Sequence, residues 1–284
     1  MKRILILVLI CMIHYSLFSS CTLWGCVGSS VMDGGLLIAK NRDWNEASTT
    51  ILKIISPKKG FKYLAMYAEG EDGGVKGGIN ETGLVVFTAS ASSVKKEDRY
   101  SDGKGKIRMI LSECRSVEDV LKNPDKYLSG RTQFLMIGDN KELAWIEISP
   151  DNKVHIERKS NGTLYHTNHY LCKEFLNFNE QQGESSLKRC NRVSKLLDSK
   201  SPMMLDDMIK ISNDKHDGPN NSIWRDGSSS GKTRTLMNMS VSIPQKGFPR
   251  VYAKLANSSS PEKTGVLILD NDFWNQDGII EIKE

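Results

Sequence analysis

The sequence predicts an α+β domain of two mainly antiparallel sheets with helices outside. Three observations carry this. Strand-like runs come in blocks rather than alternating with helices, helical patterns fall in two separate groups, and short turn-forming segments join many of the runs. The runs LLIAKNRDW (36–44) and TTILKIIS (49–56) are apolar and β-branched, with a polar loop between them. GGINETGLVVFTASAS (77–92) adds a third and a fourth strand around a Gly-rich turn. KIRMILSEC (106–114) then follows helical spacing, and Ser116 caps SVEDVLKN (116–123) with Asp119 at the third helical position. FLMIGD, ELAWIEIS and KVHIERK form a meander joined by turns at Asp139-Asn140-Lys141 and Pro150-Asp151-Asn152. Two further helices are expected in SSLKRCNRVSKLLDS (185–199) and MMLDDMIKIS (203–212). TRTLMNMSVSI (233–243) and RVYAKLAN (250–257) return to strand, with Thr235, Met237, Met239 and Val241 expected on one face.

The beginning of the chain reads as an export signal. Lys2 and Arg3 precede an apolar run at 4–13, and Ser16, Ser19 and Ser20 supply small residues before Cys21. The run is about half the roughly 20 residues that a membrane-spanning helix needs, and no later segment qualifies. The expected organisation is a signal peptide at 1–20 and one domain at 21–284. The mature chain is expected to be secreted or periplasmic, without stable membrane insertion. Without Lys2 and Arg3, 37 basic side chains face 34 acidic ones. So small an excess, scattered along the chain, gives no reason to expect a nucleic-acid partner. Cys21, Cys26, Cys114, Cys172 and Cys190 remain after the leader, an odd number, so at least one free thiol is expected.

Some motifs lead nowhere. GSSSGKT (227–233) has three residues between its glycines where a phosphate loop has four. His166 and His169 have metal-like spacing but lack a third ligand in a zinc pattern, so no metal is expected, and no cofactor either. Asn80, Asn161, Asn220, Asn238 and Asn257 open N-x-[ST] sequons, which matter only on a eukaryotic secretory route.

CTLWG directly after the leader, GGLLIAKNRDW, GGINETGLVV, YHTNHYL and the R-x-x-R of KRCNR together resemble the N-terminal-nucleophile hydrolases of the choloylglycine hydrolase and penicillin acyltransferase type. The resemblance runs from Cys21 to about Arg192. It implies a four-layer αββα sandwich that cuts or transfers acyl groups at linear amide bonds, and a small-molecule N-acyl amide as substrate. It also assigns roles. Cys21 matches the nucleophile exposed by processing, and Asp43 the acid that holds the terminal amine toward the thiol. Asn168 matches a positioning and oxyanion residue, and Arg189 a late arginine that pairs with Asp43 or lies against the nucleophile. Lys40 stands where bile-salt hydrolases carry Arg, and Ser90 where they carry an Asn donor; both are expected to line the substrate site.

The chemistry is coherent without the family. An α-amine has an ordinary pKa of about 7.7–8.0 and a thiol about 8.5, so a terminal amine is a competent base for the thiol of its own residue. One residue then serves as nucleophile and base. Cys26 is the rival within the same reading. A lipid-anchored Cys21 and a non-catalytic exported binding protein stay open as other classes, as does an acyltransferase using the same acyl-enzyme.

Overall fold

The computed structural model describes residues 20–70, 73–100, 105–228 and 233–282. The leader expected at 1–20 therefore lies outside the described residues except for Ser20, and so does most of the Gly-Ser loop. The strands are β1 (Ser20–Val27), β2 (Leu36–Asn45), β3 (Thr50–Ile55), β4 (Tyr63–Ala68), β5 (Gly74–Asn80), β6 (Val85–Ser90), β7 (Gln133–Gly138), β8 (Leu143–Ile148), β9 (Val154–Lys159), β10 (Gly162–His166), β11 (Thr233–Ile243), β12 (Arg250–Leu255), β13 (Lys263–Ile268) and β14 (Gly278–Ile279). The helices are α1 (Lys106–Glu113), α2 (Val117–Leu121), α3 (Pro124–Tyr127), α4 (Glu184–Asp198) and α5 (Leu205–Ser212). A six-stranded sheet has the order β10-β1-β2-β11-β12-β13, and an eight-stranded sheet the order β14-β3-β4-β5-β6-β7-β8-β9. Neighbouring strands run antiparallel throughout both.

Three apolar clusters define the layers. The inner faces of the two sheets meet over Leu23, Ile38, Leu64, Phe87, Met136, Met239 and their neighbours. The outer face of the larger sheet packs Ala65, Val86, Leu135 and Ile146 against Ile110, Leu111 and Val120 of α1 and α2. The outer face of the smaller sheet packs Trp24, Leu37 and Ala39 against Val193, Leu197 and Met208 of α4 and α5. The result is the expected αββα sandwich. Complete burial of a side chain such as Phe87 contributes about 1.5–3 kcal/mol.

Local chemistry sets the joints as the sequence suggests. Ser116 Oγ accepts the Asp119 N–H at 3.2 Å and caps α2. Asp139 accepts the N–H groups of Lys141 and Glu142 in the β7–β8 turn, and its other oxygen accepts the N–H of Val117 at 2.8 Å. In the turn between β5 and β6, Gly83 has φ +89°, a conformation that favours glycine. Asn80 ties that turn to the end of α1 by donating to the carbonyls of Leu111 and Cys114.

One expectation is corrected. A bulge interrupts β11 between Thr235 and Met237, so the two do not share a face. Met237, Met239 and Val241 enter the core between the sheets, while Thr235 turns to Asp43 and Arg225.

Candidate active site

The site lies where β1, β2 and β6 come together. All eight residues of β1 are buried between β10 and β2, with Cys21 opposite Arg42 and Ser20 opposite Asp43 in the ladder. Gly25 leaves room for close packing, because a Cβ there would meet the Leu37 carbonyl of the adjacent strand β2 at 2.8 Å and the Leu143 side chain of the facing sheet at 3.0 Å. Cys21, Leu23 and Val27 belong to the core between the sheets, and Trp24 and Cys26 to the helical layer. The Cys21 side chain, 5% exposed, lines a cavity of about 220 Å³. Cys26 lies on the other face, where burial first and Asp207 second push its thiol up to about 12. Among the described residues all five cysteines are free thiols.

Two buried side chains hold the backbone of Cys21. The Cys21 N–H donates to Asn168 Oδ1 at 2.9 Å, and Arg189 Nη1 donates to the Cys21 carbonyl at 2.7 Å and to Thr22 Oγ1 at 2.6 Å. Arg189 Nη2 reaches Ser20 Oγ and Asn168 Oδ1, the latter at 3.0 Å. Asn168 Nδ2 donates to the Ser90 carbonyl at 2.9 Å, so acceptors and donors on its two ends fix the amide orientation. That donor is committed to Ser90 rather than pointed at the cavity. Arg189 is wholly enclosed, and burial lowers its pKa to about 10, with Asp43 as the largest opposing influence. The Cys21 nitrogen here is an amide. It stands in for the amine that a cut after Ser20 would create.

Asp43 is also fully buried. Its Oδ1 accepts from Thr235 Oγ1 at 2.8 Å, while Oδ2 has no hydrogen-bond partner among the described residues and lies 3.7 Å from Arg225 Nη1. Burial pushes its pKa above the ordinary carboxylate range, against the pull of Arg189, Arg225, Thr235 and Lys40. Lys40, almost fully enclosed, donates from Nζ to the Lys76 carbonyl at 2.8 Å. Cys21, Lys40, Asp43 and Ser90 share the cavity wall, and Asn168 and Arg189 bind Cys21 from behind it. All six residues singled out from the sequence thus converge. Arg192, the partner of Arg189 in the R-x-x-R pattern, instead donates to Asp214 at 2.6 Å on the outer side of α4.

Other parts of the site escape a reading of the sequence. Arg225, in an otherwise apolar Ile223-Trp224 setting, is the nearest cation bridged to Asp43 among the described ion pairs. Lys76, Arg42, Arg99 and Arg131 also line the cavity, which with Lys40 sets five cationic side chains against one acid. Glu147 is buried on β8 and reaches across the core: it accepts from His166 at 2.8 Å, from Leu171 N–H at 2.6 Å and from Cys172 N–H at 3.1 Å. It thereby clamps both ends of the segment that carries Asn168, and His166 packs against Phe134 and Trp145. His169 is held neutral, its pKa lowered to about 4 by burial and then by His166 and Arg189, and shares a 2.8 Å hydrogen bond with Ser186. Glu147→Gln puts an NH2 group among N–H donors. It is expected to lower kcat by up to about 10²-fold through displacement of Asn168, with KM changing less, as steady-state kinetics on any substrate amide would show. Equal kcat in the two proteins would reduce Glu147 to a packing residue.

Residues 31–259 match the model of the family described as acyl-coenzyme A:6-aminopenicillanic acid acyl-transferase. The chain belongs to this family. Among solved structures it is similar to penicillin V acylase from Agrobacterium tumefaciens, with TM-score 0.55 and 16% identity over 88% of this chain and 86% of that one. It is also similar to a variant of conjugated bile acid hydrolase from Clostridium perfringens, with TM-score 0.59 and 15% identity over 91% of this chain and 95% of that one. At such identities the likeness speaks for the fold. No curated protein shows significant sequence similarity to the chain. The acyl-transferase family match starts after β1, so the segment that carries Cys21 lies outside it.

Proposed function

We propose that this member of the acyl-transferase family is an exported cysteine hydrolase that cleaves a linear, non-peptide amide of an N-acyl amino compound through a thioester on Cys21. The observation that carries the reading is the position of Cys21: its side chain lines the cavity, and its nitrogen and carbonyl are gripped by Asn168 and Arg189. A cut between Ser20 and Cys21 turns that nitrogen into a base beside the thiol. The amine takes the thiol proton as sulfur attacks the substrate carbonyl, and the ammonium then returns a proton to the departing amine. Water, deprotonated by the same amine, attacks the thioester and releases the acid and the free thiol. Asp43, with an oxygen that lacks a hydrogen-bond partner among the described residues and lies opposite the residue removed, orients and steadies the ammonium. The five cations on the cavity wall favour a substrate that carries a carboxylate or another anionic group. The leader-like residues before Cys21 support export.

Transfer to an acceptor amine is a second reading, favoured by the name of the matched family. Both readings share the acyl-enzyme and separate at its fate. The test starts with the amino terminus of the exported protein, by intact mass and terminal sequencing, where an unblocked Cys21 is expected. Substrate is then turned over with and without a small acceptor amine. A hydrolase releases free acid at an unchanged rate, and a transferase forms a new amide faster than acid. A lipid adduct on Cys21 would refute both.

A further inference from the structure

We propose that His155, Cys172 and Glu174 form a structural site for a zinc-type divalent metal that fastens β9 to the segment following Asn168. The three side chains place an imidazole nitrogen, a thiol sulfur and a carboxylate oxygen within 4.8 Å of one another. They come from two separate parts of the chain. His155 lies on β9, the last strand of the larger sheet, and Cys172 and Glu174 flank the start of the short helical turn Lys173–Phe178.

The group has the features of a ligand set. The His155 ring is oriented by Trp145, 5.2 Å away and tilted, and by the edge of Phe175, yet it makes no hydrogen bond among the described residues. Glu174 forms no ion pair with a lysine or arginine among the described residues. Its only described side-chain partner is the Cys172 thiol, which donates to it at 2.7 Å. Tetrahedral zinc holds sulfur at about 2.3 Å and nitrogen or oxygen at about 2.0–2.2 Å, so its ligands stand roughly 3.3–3.8 Å apart. The ligand atoms, within 4.8 Å of one another, have to draw closer to meet that spacing, a movement that falls to exposed Glu174 and half-buried His155 rather than to the buried sulfur. A thiolate and a carboxylate balance the two charges of the metal, and the exposure of Glu174 leaves the fourth position to water. Magnesium and calcium prefer oxygen ligands, whereas sulfur with imidazole selects zinc-like ions.

Such a site would act on the loop that Glu147 already clamps, because Cys172 offers its backbone to Glu147 and its sulfur to the metal. The site is separate from the chemistry proposed for Cys21. The test therefore uses untagged Cys21→Ala protein, stripped with a chelator, so that metal on the nucleophile does not interfere. Cobalt(II) titration is expected to give one thiolate-to-cobalt charge-transfer band saturating at one ion per chain, and zinc should displace the cobalt and raise the melting midpoint. Adding Cys172→Ser should remove the band. His155→Ala with Glu174→Gln should weaken zinc binding by more than the roughly 10-fold cost of losing an outer partner. Absence of the band in the stripped protein overturns the proposal. So does a band that survives Cys172→Ser, or zinc affinity unchanged in the double variant. Circular dichroism of each variant separates loss of the site from loss of the fold.

Discussion

Cys21→Ala is expected to reduce turnover of an N-acyl amide by about 10⁴–10⁶-fold, the loss seen when a covalent catalyst is deprived of its nucleophile. No neighbouring thiol can take over. Cys26 points into the helical layer with its thiol suppressed, and Cys114, Cys172 and Cys190 are likewise pushed up by burial. The fold should persist, since only one sulfur atom is removed from a cavity wall and the backbone contacts to Asn168 and Arg189 do not depend on it. Initial rates and a thermal melt on the same preparation separate the two effects. Turnover within tenfold of the parent, with the fold unchanged, would remove Cys21 from the reaction. The same reasoning applies to one residue placed uncleavably ahead of Cys21, which leaves the thiol in place but replaces the basic amine by an amide.

Asp43→Asn is expected to lower kcat by about 10²–10⁴-fold with little change in KM. The sign of its effect on stability is separately informative. Burial raises the folded-state pKa of Asp43, so the fold favours its protonated form. That contribution is fully present below the unfolded carboxylate value of about 3.9 and is lost as pH rises through the raised folded value. Arg189 and Arg225 pull the other way, toward the carboxylate. An asparagine side chain is neutral at every pH, so the melting midpoint of the Asp43→Asn protein should fall less than the parent's as pH rises from acid through the raised folded value. A parent-like rate in this variant would make Asp43 a structural partner of Thr235 and Arg225 and nothing more.

Most of the architecture is legible in the sequence because half-buried elements carry their period. α1, α2, α4 and α5 show helical spacing, and the turns at Asp139 and Asn152 have their expected chemistry, with Asn152 at φ 61°. Strands such as β1 and β4 are not legible. β1 is buried on both faces and so shows no alternation, and its start adjoins the leader-like residues. The YLAMYA run of β4 is nearly all buried and mixes helix-forming and strand-forming residues. The site divides in the same way. Cys21, Asp43, Asn168 and Arg189 lie in short motifs that can be recognised, whereas Arg225, Thr235 and Glu147 acquire meaning only through partners remote in the chain. Thr235 meets Asp43 across 192 residues, and Glu147 meets His166 across 19. The bulge in β11 shows the limit most directly. Its register shift moves Thr235 to Asp43, and no local residue pattern announces it.

On the proposed function, in which Cys21 becomes the amino terminus, the enclosure of β1 also bears on when the cut is made. Ser20 is 6% exposed, paired with Asp43 in the ladder and gripped by Arg189, so the Ser20–Cys21 bond is out of reach of a separate protease once the sheet has closed. An extended substrate strand must leave the sheet to enter a protease cleft. Cleavage by such an enzyme consequently belongs to the unfolded or emerging chain, and folding then delivers the new terminus into a place that nothing can later trim. On the proposed mechanism, a chain that folds before it is cut would keep its base masked as an amide: correctly shaped and inactive.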